Sequence, residues 1–197
     1  MARQQPQPGL RALMTYLQWR GVRRAICTRN FAEPVAHLLG RFLPDVEFAP
    51  VVTRDFVPPK PDPAPLLFVA REWGLVRGGA PGAGALVDGA AVEAEAVIET
   101  VAKAGAAVEA AAETEAETVA ETEEIGDASS LLMVGDSIDD MTAGRLAGAA
   151  TVLLVNDDNA HLAEHPHTDL VIARLDELVG VLEAGFVGRE IPVASSA

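Results

Sequence analysis

The sequence predicts an α/β fold with a Rossmann-like parallel sheet and helices on both faces. Short segments rich in Val, Ile and Leu alternate with helical patterns along the 197 residues, as expected for parallel strands joined by crossover helices. The run LLMVGD, residues 131–136, ends a buried strand on an acid, which is typical of the ligand-binding edge of such sheets. The alternation is interrupted once, between residues 76 and 130.

Residues 8–75 are predicted to form the first part of the core. Pro8-Gly9 begins a helix that Gly21 ends, and its apolar residues fall on one face: Leu10, Leu13, Met14 and Leu17. The later elements are, in order, the strand VRRAICT, a helix over 31–42, the strand VEFAPVVT, a Pro-rich loop PPKPDP and a helix through LLFVAREWGL.

Residues 76–130 are predicted to be a low-complexity Ala/Glu-rich insertion. Ten Glu and one Lys between Glu93 and Glu124 give this part a net charge of −9, out of −14 for the chain. It has almost no large apolar residues to bury, which predicts a solvated helix or disorder. A partner-binding acidic segment is the alternative.

Order is predicted to resume over residues 131–186, the second part of the core, with 187–197 as a tail. The strands are LLMVGD, TVLLVN and DLVIA, and the helices cover 139–148, 159–164 and the run LDELVGVLEAGF.

Composition excludes several classes of protein. No apolar run approaches the roughly 20 residues that span a bilayer, and the acidic charge argues against nucleic-acid binding. The single cysteine, Cys27, rules out an internal disulfide and suits a reducing compartment, so we expect a cytoplasmic protein. Six arginines before Glu33 leave a mitochondrial targeting segment as the alternative. The oligomeric state is left open.

Two acids at the end of the strand LLMVGD indicate a metal site. Asp140 follows Asp136 by four residues, so both carboxylates can face one point at the start of a helix. Hard oxygen donors at this spacing suit Mg²⁺, which takes few carboxylates and completes its shell with water and phosphate. The structural alternative is that the acids only cap the helix.

Two further residues are weak signals by themselves. Thr28 ends the strand VRRAICT, where a hydroxyl beside turn amides can hold a phosphoryl oxygen. Lys60 lies in a loop stiffened by four prolines, although a lone loop lysine is most often a solvated charge.

Taken together and in this order, these residues resemble the haloacid dehalogenase superfamily of phosphohydrolases. The resemblance is to the phosphoglycolate-phosphatase-like branch of this superfamily, and within it the fungal members are the most similar. Three segments carry it: GVRRAICTRNF, VTRDFVPPKPDP and MVGDSIDDMTAGRLAGAATVLLVN. The resemblance covers about residues 8–75 and 129–186 and implies Mg²⁺-dependent hydrolysis of a small phosphorylated metabolite through an aspartyl-phosphate.

The resemblance also implies roles for six residues. Thr28 binds the phosphoryl group with the turn amides of Arg29 and Asn30 nearby. Lys60 neutralises charge between the nucleophile and the phosphate. Asp136 ligates Mg²⁺ directly, and Asp140 supports that ligand shell.

The family's first motif, Asp-x-Asp-Gly-Thr at the end of strand one, does not occur in the sequence. The nucleophile, the central first strand and most of the family's cap are therefore expected to be missing, as in an N-terminally truncated chain that is inactive as it stands. A non-catalytic phosphate-, metal- or partner-binding module is the alternative. Neither Cys27, expected to be buried and to face away from Thr28, nor a transition-metal site at His161, His165 and His167 is a favoured substitute.

A missing central strand has a structural consequence. Parallel strands lie about 4.8 Å apart, so the gap between the strands VRRAICT and LLMVGD would be roughly 10 Å wide. The unpaired backbone groups facing it predict a poorly stable or aggregation-prone chain.

Overall fold

The computed structural model describes residues 5–77, the backbone of residues 95–98, and residues 125–188. The described helices are Leu10–Trp19 (α1), Ala32–Phe42 (α2), Ala64–Glu72 (α3), Ile138–Ala147 (α4) and Glu177–Ala184 (α5), with a 3₁₀ helix at Ala160–Glu164. The strands are Arg24–Cys27 (β1), Val51–Val52 (β2), Glu95–Ile98 (β3), Leu131–Gly135 (β4), Ala150–Leu154 (β5) and Leu170–Ile172 (β6).

The strands form one sheet in the order β2-β1-β3-β4-β5-β6, and every neighbouring pair is parallel. The α/β architecture predicted from the sequence is therefore present. Alternate residues of β4 enter opposite core layers, with Leu132 and Val134 on one side and Leu131 and Met133 on the other. The first layer packs against α1, α2 and α5 and the second against α3 and α4, so helices cover both faces.

The expectation of a missing central strand is wrong. The position between β1 and β4 is occupied by β3, which comes from the segment predicted to be an insertion. Ala96 pairs with Arg24 of β1 and with Leu132 of β4, and the pairing with β4 extends from Glu95 to Ile98. The short run EAVI pairs here because β1 and β4 both offer unpaired backbone groups, which no local pattern can show.

The expectation of a solvated helix or disorder over 76–130 is wrong at these four residues, and the two ends of that segment also contact each other. Arg77 donates a backbone hydrogen bond to Ile125 (2.9 Å) and Asp127 donates one to Leu75 (2.7 Å), so the chain leaves and re-enters the core at one place. Ala128 is fully buried. The remainder of the predicted insertion, residues 78–94 and 99–124, lies outside the described residues.

Two predicted elements are shorter than their sequence patterns. Strand β2 holds only Val51 and Val52 of the predicted run VEFAPVVT, because Pro50 before them has no N–H for a strand ladder. Strand β1 ends at Cys27, which leaves Thr28 as the first residue of the following turn. Among the described helices, none is long and apolar enough to cross a bilayer.

Candidate active site

Lys60 is the centre of a buried polar cluster at the carboxyl ends of the strands. Its side chain is only 2% exposed, although it comes from the proline-rich loop before α3. The ammonium group donates to the backbone carbonyl of Cys27 (2.6 Å) and to Oδ1 of Asp140 (2.8 Å). Because β3 lies between β1 and β4, Lys60 links residues on either side of the central strand.

Asp140 has both carboxylate oxygens engaged by protein groups. Oδ1 accepts from Lys60, and Oδ2 accepts from the backbone N–H (3.0 Å) and the hydroxyl (2.7 Å) of Ser137. Ser137 in turn caps α4 by accepting from the Asp140 N–H, which completes a capping box. Gly135 is required beside it, because a Cβ there would lie 2.5 Å from the Cβ of Asp140.

Burial acts on both members of this ion pair. It lowers the pKa of Lys60 to about 8 and raises the pKa of Asp140 to about 7, since each charged form loses its hydration. The backbone hydrogen bonds from Ser137 and Asp136 and the charge of Arg29 oppose the rise in the Asp140 pKa by favouring the carboxylate. Cys27, buried beneath the same cluster as expected, has a pKa raised to about 11 by burial.

Thr28 and the turn after it form the second part of the site. The Thr28 hydroxyl oxygen accepts hydrogen bonds from the backbone and side-chain nitrogens of Asn30, both at 3.1 Å. Its own O–H is thereby left to donate to another group, such as a phosphoryl oxygen. Thr28, Arg29 and Lys60 line one small cavity. Arg29 also forms an ion pair with Asp139.

Asp136 stands at the carboxyl end of β4 with its side chain half-buried. Among the described residues its carboxylate has neither a hydrogen bond nor an ion pair, and its charge is near enough to favour the protonated form of Lys60. The predicted residues from three strand ends therefore meet in one cluster.

Of the two predicted metal ligands, Asp136 fits a direct role in binding Mg²⁺ and Asp140 does not. Asp136 offers a carboxylate that no described residue engages. Both oxygens of Asp140 are occupied, so Asp140 stands behind the ligand position rather than in it. Mg²⁺ is commonly held by one or two carboxylates, with water and phosphate in its other positions. Across residues 5–77 and 125–188, no group of three or more His, Cys, Asp or Glu side chains could hold a metal ion.

Sequence reasoning missed three residues of this cluster. Ser137 could have been found, since Ser-x-x-Asp before a helix is a capping-box pattern. Asp139 and Asn159 carry no such signal, because their partners Arg29 and the Asp136 carbonyl are distant in sequence.

A larger cavity of about 520 Å³ lies at the opposite end of β1, beside Arg23, Arg24 and Trp73. It contains none of the predicted site residues. Nη1 of Arg24 is buried without a hydrogen-bond partner in the described structure, so it is out of reach of a molecule in that cavity. The predicted site residues lie instead at the carboxyl ends of the strands.

Comparison with solved structures shows the fold. A crystal structure of a haloacid dehalogenase-superfamily hydrolase from Ehrlichia chaffeensis superposes with a TM-score of 0.53 and 13% sequence identity, over 90% of this chain and 58% of that one. The fold is that of a haloacid dehalogenase-superfamily hydrolase. No family model matches the sequence.

Two curated proteins are similar in sequence to this chain. The uncharacterized hydrolase YOR131C of Saccharomyces cerevisiae is 32% identical over 185 residues, or 93% of this chain. The haloacid dehalogenase-like hydrolase domain-containing protein At2g33255 of Arabidopsis thaliana is 34% identical over 71 residues. The chain spans 61% of the yeast protein and 28% of the Arabidopsis protein. The chain thus has the fold of the Ehrlichia hydrolase and is similar in sequence to two curated proteins that are described as hydrolases.

Proposed function

We propose that this chain carries the phosphate- and cation-binding half of a Mg²⁺-dependent phosphatase that acts on a small phosphorylated metabolite. The observation that carries the proposal is the buried Lys60, which joins the end of β1 to Asp140 at 2.6 and 2.8 Å. The buried cation lies near the hydroxyl of Thr28 and the carboxylate of Asp136, which bind no other group through the hydroxyl proton or the carboxylate oxygens within the described part of the chain. This arrangement suits phosphoryl transfer, which depends on positioning and charge neutralisation. The phosphoglycolate-phosphatase-like branch, fungal type, is the finer assignment that we propose from the sequence motifs.

Each residue would act through the contacts it already makes. Thr28 donates its hydroxyl proton to a phosphoryl oxygen, and the turn of Arg29 and Asn30 keeps its oxygen oriented. Lys60 neutralises negative charge in a site from which water is excluded. Asp136 would hold Mg²⁺, with Asp140 as support through Ser137, and a bound Mg²⁺ would supply further neutralisation of the phosphate charge.

The chain as it stands is proposed to bind phosphate without turnover. It contains no Asp-x-Asp-Gly-Thr, and covalent catalysis cannot begin without an attacking group. This absence also favours the second candidate function, a non-catalytic phosphate- or metal-binding module.

The test uses the whole chain with Mg²⁺ and two assays. We expect calorimetry to detect binding of inorganic phosphate that is lost in Thr28→Ala and Asp136→Asn, while hydrolysis of p-nitrophenyl phosphate stays at the background of those variants. Thr168→Val is the matched control, because Thr168 is also buried and its hydroxyl donates to the Leu162 carbonyl (2.9 Å), away from the candidate site.

Absence of phosphate binding by the unaltered chain would refute the proposed site. Hydrolysis that Asp136→Asn removes and Thr168→Val preserves would instead show an active enzyme with an unrecognised nucleophile.

A further inference from the structure

Asn159 lies outside the six residues assigned to the site but is joined to it. It follows β5, directly before the 3₁₀ helix, and is only 6% exposed. Its side-chain nitrogen donates to the backbone carbonyl of Asp136 (2.8 Å) and to that of Leu154 (3.0 Å). Its side-chain oxygen accepts from the backbone N–H of Asn156 (2.7 Å). Every polar atom of a buried amide is thus used.

The peptide group between Asp136 and Ser137 is consequently held at both polar ends. Its carbonyl accepts from Asn159, and its N–H donates to Oδ2 of Asp140 (3.0 Å). Asp140 is itself bound by Lys60, which reaches the Cys27 carbonyl. A continuous series of hydrogen bonds therefore runs from the turn after β5 to the end of β1.

We infer that Asn159 is a positioning residue for this site, which fixes the backbone from which the Asp136 carboxylate projects. The inference rests on the proposed role of Asp136 as a cation ligand. No contact with another described residue fixes the half-buried Asp136 carboxylate, so the direction in which it points depends on its main chain. Groups that orient a ligand in this way commonly matter about 10- to 100-fold in metal affinity.

Three variants separate positioning from general support of the loop. Asn159→Asp keeps the shape and the acceptor for Asn156 but removes both donors to the carbonyls. Asn159→Ala removes all of these contacts. Thr168→Val is the control, since it deletes another buried donor to a backbone carbonyl in the same region.

Two readouts are measured on the full chain. Hydrogen exchange is followed in a peptide covering residues 135–141, with β5 as the internal reference for global loss of stability. Binding of Mn²⁺, used as a spectroscopic substitute for Mg²⁺, is followed by electron paramagnetic resonance.

In Asn159→Asp we expect exchange over 135–141 to rise about 10-fold relative to β5, and Mn²⁺ to bind about 10-fold more weakly. Thr168→Val should change neither. Exchange over 135–141 that rises no more in Asn159→Asp than in Thr168→Val would overturn the inference, as would unchanged Mn²⁺ affinity in a chain that binds Mn²⁺.

Failure of the proposed function has a different signature. If the unaltered chain and Asp136→Asn both fail to bind Mn²⁺, the cation role of Asp136 is refuted, and hydrogen exchange alone then decides whether Asn159 fixes this peptide.

Discussion

Lys60 illustrates how a side chain's environment can differ from what its local sequence indicates. A lysine in a loop of four prolines is usually solvated, yet its side chain is 2% exposed and faces the 0% exposed Asp140. The loop stiffness noted in the sequence is compatible with this burial, because prolines reduce the freedom lost on ordering. The two opposite charges compensate each other only while both are present.

We therefore predict that Lys60→Met lowers the free energy of unfolding by about 3–5 kcal/mol, because it leaves Asp140 buried without its cation. The double variant Lys60→Met, Asp140→Leu should recover a large part of this loss. Urea unfolding between pH 7 and pH 8, where both Asp140 and Lys60 are mostly charged, measures both. If the double variant has a lower free energy of unfolding than Lys60→Met alone, Lys60 and Asp140 do not stabilise each other as proposed.

Cys27 supports a prediction about pH and reactivity. Burial raises its pKa from 9.0 to about 11, so at pH 8 the native thiolate fraction is about 100-fold below that of an unfolded cysteine. The unfolded thiol loses its proton at a lower pH than the folded thiol. The contribution of Cys27 to stability is therefore present below pH 9 and is lost as the pH rises through 11.

Iodoacetamide at pH 8 should therefore label the native chain at least about 100-fold more slowly than the urea-unfolded chain. Labelling of native protein at the unfolded rate would mean that β1 opens readily.

At the scale of elements, β3 is the decisive feature. Only two of its residues pair with β1, but all four pair with β4. It therefore converts two unpaired strand edges at the centre of the sheet into paired ones. Helix α4 is equally constrained, because its capping box, Gly135 and the Lys60 pair act on the same aspartate.

Val97→Pro tests this strand. Proline removes a backbone donor and is not tolerated within a central strand, so we expect a loss of about 2 kcal/mol or more in the free energy of unfolding. Val187→Pro is the control, because Val187 is 85% exposed and follows the last helix. Equal stabilities of the two variants in urea would show that β3 contributes little to the sheet.

At the scale of the whole molecule, the two core layers share one continuous sheet. With β3 in place the described sheet has no open central gap, so the prediction of poor stability loses its premise. The ends of the predicted insertion also meet at one place, so the polypeptide between residues 77 and 125 begins and ends on the same side of the core.

We expect the chain to unfold in a single cooperative transition, with equal calorimetric and van't Hoff enthalpies and a midpoint of about 45–65 °C. Scanning calorimetry on the whole chain measures this, and Val97→Pro should lower the midpoint. Two separated transitions, or a broad non-cooperative loss of structure, would show that the halves of the sheet on either side of β3 behave independently.

Periodicity within short stretches of chain was enough to predict most element types and the parallel α/β architecture. Thr28, Lys60, Asp136 and Asp140 were predicted as site residues from the resemblance of their motifs to a known family. The sequence by itself did not determine the centre of the sheet, where EAVI inside an Ala/Glu-rich stretch becomes a strand only because β1 and β4 are both there to pair with it. Nor did it show that Asp140 faces Lys60 rather than a cation, or that Asn159 holds the Asp136 carbonyl. Those contacts join residues 80 and 23 positions apart, and only tertiary packing decides them.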